Sequence, residues 1–196
     1  MNNTTVGTLG VMGMMANGNA DWFEEVMKPL LAEFRELPRF QGDFPEACRQ
    51  RKTRSDPMNA FFGYAIAGIG IYLLKKAADD WYDVSVKPRL RKVFEALDKP
   101  LIPANKKASK VFILSVWHEQ YNVVISVAVI ADDFDQIVTQ LDQVGVVQRN
   151  ALAAVESGGV LAPVHLYTIE AGQVNTKPEL LERVDELLHM LPRQTK

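Results

Sequence analysis

The sequence predicts an α+β fold: an N-terminal helical half built from a duplicated helix-corner unit, then a C-terminal ββα(α)βα module with a small sheet. Three observations lead there. A motif recurs within the first half, and near residue 110 the hydropathy pattern changes from helical spacing to strand-like runs. Net charge changes sign at the same place: residues 1–108 hold 16 Lys+Arg against 13 Asp+Glu, and residues 109–196 hold 6 against 11. The intervening "KPLIPANKKASK", residues 99–110, carries two prolines and four lysines and reads as a linker. The chain therefore divides into a helical region, 1–103, and a small α+β module, 109–196.

The recurring motif is "DWFEEVMKP" from Asp21 and "DWYDVSVKP" from Asp80. With one inserted residue the match continues, Leu31, Phe34 and Leu37 answering Leu90, Phe94 and Leu97. Shared spacing of this kind points to a duplicated helical unit. Pro29 and Pro88 suit the first turn of a helix, where a missing N–H is no loss, but they disfavour helical geometry at Lys28 and Lys87. Each unit is expected to bend near its Lys-Pro, with Trp22 and Trp81 packed over the corner.

Between the copies lies "MNAFFGYAIAGIGIYLLKK", residues 58–76, uncharged from 57 to 74. Read as a helix, it places Ala60, Gly63, Ala67, Gly70 and Leu74 at alternating three- and four-residue steps. That is a seam of mostly small residues open to close approach by another helix. Phe61, Phe62, Ile66, Ile69 and Leu73 occupy the other faces, and a helix apolar all round is buried in protein or in lipid. A bilayer is spanned by about 17 to 25 apolar residues. Membrane insertion of 58–74 thus stands as the alternative to a protein-packed helix. Basic residues on both sides give no orientation. A phosphate-binding loop fails on spacing: Leu73 stands where a dinucleotide fingerprint needs glycine, and Gly7, Gly10 and Gly13 precede no lysine.

From Lys110 onward, "VFILSVW" and "VVISVAVI" are rich in β-branched and aromatic residues and are separated by the polar "HEQYN". This is a hairpin, and its nearly continuous hydrophobicity implies cover on both faces. "DDFDQIVTQLDQV" follows as an amphipathic helix with Phe134, Ile137, Val138 and Leu141 on one face, capped by Asp132 or Asp133 with Gln136. A second helix covers "VVQRNALAAVES" and stops at Gly158-Gly159. "VLAPVHLYTIEA" is a third strand, with Pro163 marking a bulge or an edge. "TKPELLERVDELLHML" is a closing helix with Thr176 as N-cap and a stripe of Leu180, Leu181, Val184, Leu187 and Leu188.

Composition narrows the function. A chain of 196 residues with 47% hydrophobic and 23% charged residues is globular, and a net charge of −2 argues against a nucleic-acid partner. The single cysteine, Cys48, excludes an intramolecular disulfide and suits a reducing, cytoplasmic setting. The apolar start "TLGVMGMM" lacks the positive region of a secretory signal. His118, His165 and His189 have no metal-ligand spacing, and Cys48 forms no zinc pattern. Asp132, Asp133 and Asp135 are better explained by the helix cap than by a metal. The basic cluster "RQRKTR", residues 49–54, has no interleaved aromatic residues and reads as a solvated loop. No catalytic residue, cofactor or metal is assigned.

A glycine-rich apolar segment beside a short α+β module resembles the layout of small accessory proteins in bacterial conflict systems, and an accessory or immunity-like role is what that layout alone implies. The leading expectation is a non-enzymatic interaction protein that forms homo-oligomers and binds another protein. The runner-up is a membrane-associated protein inserting 58–74. A third reading is an enzyme whose site is assembled from scattered residues.

Overall fold

The computed structural model describes residues 6–8, 13–15, 64–73, 82–96 and 109–187. Helices and a mixed sheet make the fold α+β, as the sequence predicts. In chain order the strands are β1 (Val6–Thr8), β2 (Gly13–Met15), β3 (Tyr64–Leu73), β4 (Ser109–His118), β5 (Val123–Ala131), β6 (Val164–Glu170), β7 (Gln173–Val174) and β8 (Glu179–Leu181). The helices are α1 (Lys87–Ala96) and α2 (Phe134–Gly158). The sheet runs β1-β3-β4-β5-β6-β7, with β2 also on β3 and β8 also on β6. β3 is parallel to β4, β4 antiparallel to β5, and β5 parallel to β6.

The β4–β5 hairpin forms where expected, closed by a 3-10 turn (Glu119–Tyr121) and by Asn122 in the left-handed region. Both faces of this hairpin are buried, which explains its unbroken hydrophobicity. One face carries Phe112, Leu114, Ile125, Val127 and Ile169 against the two helices. Phe94 of α1 meets Phe112 edge-on with ring centroids 5.3 Å apart, and stacks on Phe134 at 5.7 Å. The opposite face, with Val111, Ile113, Val124, Ala128 and Leu166, is equally closed to solvent. At its centre the cross-strand pair Ser115 and Ser126 hydrogen-bond to each other at 2.8 Å, so two hydroxyls sit in an apolar face without leaving either oxygen alone.

Three expectations are corrected. Residues 64–73 form the extended strand β3, not part of a helix over 58–76. Three isoleucines and two tyrosines favour a pleated strand, and Gly68 and Gly70 would each cost a helix about 1 kcal/mol. Ladder partners β1, β2 and β4 then satisfy its backbone. Residues 64–73 are therefore not helical, and among the described residues no helix is long and apolar enough to cross a membrane. Second, the two helices expected after β5 are one, α2, unbroken through Val146. Third, the closing helix is replaced over 179–181 by β8, paired antiparallel to β6, followed by a 3-10 turn (Val184–Glu186). Leu181, Val184 and Leu187 are buried as a helical stripe would require, but Leu180 is not. Asn175, not Thr176, supplies the local cap, its Oδ1 accepting from the Lys177 N–H at 3.1 Å. With β7 and β8 outside it, β6 is an interior strand, and Pro163 stands just before it, its carbonyl accepting from the Val124 N–H.

The start of α2 follows the sequence closely. Asp133 is the N-cap, accepting from the Gln136 N–H at 2.8 Å, while Gln136 Oε1 accepts from the Asp132 N–H at 3.2 Å. Asp133→Ala is expected to lower stability by about 1 kcal/mol, measured as a shift in the urea midpoint at unchanged slope.

Candidate functional site

α2 is a helix of 25 residues with only four charges: Asp135, Asp142, Arg149 and Glu156. All four repeat every seven residues, which on a helix is one row along a single flank. The last three have partners within the chain. Asp142 accepts from Lys87 Nζ at 2.7 Å, Arg149 donates to Asp83 at 2.9 Å, and Glu156 accepts from the Tyr121 hydroxyl at 3.1 Å. Lys87 also bonds Asp83 at 2.8 Å, so Asp83, Lys87, Asp142 and Arg149 form one network joining α1 and its approach to α2. Those contacts hold the Asp83 carboxyl below the usual carboxylate range and raise the Lys87 ammonium. The pairs are partly exposed, and each contributes little to stability beyond fixing register.

Between these ion pairs the two helical segments touch. A π-type turn (Tyr82–Val86) leads into α1, and Pro88, lying in the first turn of α1, has no N–H to donate backward. The helix type thus changes beside Lys87, where a bend is expected. Tyr82 is buried, its hydroxyl donates to the Leu141 carbonyl at 2.7 Å, and burial pushes its pKa up. Its ring lies over Gly145, where an added Cβ would sit 2.5 Å from Cδ1. Gly145 is thus the point of close approach between α2 and the turn that leads into α1.

The outward face of α2 has a different character. Thr139, Val146, Asn150, Ala153, Ala154 and Ser157 are all exposed, and none is charged. Two hydroxyls on this face turn back to their own helix: Thr139 Oγ1 donates to the Gln136 carbonyl at 2.8 Å, and Ser157 Oγ to the Ala153 carbonyl at 2.9 Å. The other exposed side chains of this face are Val146, Ala153, Ala154 and the uncharged amide of Asn150. The face continues past the helix end into Val160, 43% exposed, and Leu161, 70% exposed, while Val146 is 47% exposed. A surface helix ordinarily turns charge outward. Here every charge beyond the first turn is drawn to the flank.

The remaining predicted residues are placed as follows. Ala67 and Gly70 lie on β3, with Gly70 opposite Ser115, and Pro88 lies in α1. Ala60, Gly63, Leu74, Trp22, Pro29 and Trp81 lie outside the described residues, as do Cys48, His189, the 49–54 cluster and the whole first copy of the repeat. His118 ends β4, largely buried beside Glu156, and its imidazole is pushed down to about 4 by burial. His165 lies in β6 and accepts the Ala162 N–H at Nε2, and burial lowers its pKa too. Ser115 and His118 occupy alternate positions on β4 and point to opposite faces, so they do not form a nucleophile–base pair. Among the described residues no group of three His, Cys, Asp or Glu side chains could hold a metal. Set against protein families, characterised proteins and solved structures, the chain has no match.

Proposed function

We propose that the chain is a non-enzymatic interaction protein that assembles with itself and binds another protein. The observation that carries this reading is the segregation of charge on α2. A long surface helix leaves a charge-free, half-apolar face outward and runs directly into the exposed Leu161. Isolated exposed hydrophobic residues are ordinary, so what supports the reading is the lack of charge around Val146 on the helix and the exposed pair Val160 and Leu161 just past its end. Polar atoms at the centre of the face are few, as in the core of a protein interface.

Light scattering coupled to size exclusion, run from micromolar to submillimolar concentration, tests the self-assembly. The expected result is a mass that rises with concentration from one chain to a small closed oligomer, without detergent. A single-chain mass throughout that range would remove the proposal.

A further inference from the structure

We draw no further inference here: the strongest candidate, the charge-free outward face of α2 that leads into the exposed Val160 and Leu161, carries none, because nothing in the structure shows what covers it.

Discussion

Gly145→Ala is expected to destabilise the protein, against the usual benefit of replacing a helical glycine. In an open helix the change would stabilise by about 1 kcal/mol. Here the new Cβ would lie 2.5 and 2.8 Å from two carbons of the Tyr82 ring. The ring cannot swing aside freely, because it is buried and its hydroxyl is held by the Leu141 carbonyl. Moving it would also pull Asp83 and Lys87 from Arg149 and Asp142. Overpacking of this kind costs about 1–3 kcal/mol, so the net sign is unfavourable, and Gly145→Leu should fall at or beyond the upper end. Tyr82→Ala supplies the control. With the ring gone, Gly145→Ala should become stabilising by its helix propensity alone, so the substitution changes sign between the two backgrounds. Urea unfolding of the four chains measures the cycle. Equal stabilisation by Gly145→Ala in both backgrounds would show that the contact is not tight.

That contact also shows where sequence reasoning reaches and where it stops. A lone glycine within a strong helical pattern signals close approach, but its partner Tyr82 belongs to another segment, and no local period connects them. The hairpin and the start of α2 were legible because their signals are local: β-branched runs divided by "HEQYN", and Asp133 three residues before Gln136. The strand β3 was misread because "YAIAGIGIYL" fits a three-four period through its small residues and a two-residue period equally well. What selects the strand is β4 lying alongside it, a long-range fact. β8 failed for a related reason. Leu180, Leu181, Val184 and Leu187 mimic a helical stripe, yet the outer edge of β6 requires backbone partners over Val164–Leu166, and Glu179–Leu181 provides them. The candidate surface was half legible. The seven-residue spacing of Asp142, Arg149 and Glu156 is in the sequence, but only the placement of α1 and of Tyr121 shows which flank those charges serve.

The second large effect concerns acid. His118 lies at the joint of β4, the hairpin turn and the last turns of α2, and its Nε2 has no hydrogen-bond partner among the described residues. Burial holds its pKa down at about 4 against an ordinary 6.5, with the Glu156 carboxylate pulling weakly the other way. A depressed folded-state pKa means that the unfolded chain takes up a proton the folded chain refuses. The stability associated with neutral His118 is therefore complete above pH about 6.5 and is lost as pH falls toward about 4. A shift of this size corresponds to about 3 kcal/mol across that window. His165, also lowered by burial, adds to the slope, so the informative quantity is the difference between the parent chain and His118→Gln. Asp83 contributes at lower pH, where its depressed carboxyl finally protonates, and cancels in the same difference. His118→Gln should flatten the fall between pH 6.5 and 4 while leaving the plateau above pH 7 little changed. Glu156→Gln should move the His118 titration further down, because it removes a carboxylate that favours the imidazolium. Stability measured by urea unfolding across this range, with the His118 ring followed by NMR, checks both. Parallel pH curves for the parent and His118→Gln would mean that the imidazole is already solvated at the end of β4, and the joint between hairpin and helix would then be open to water.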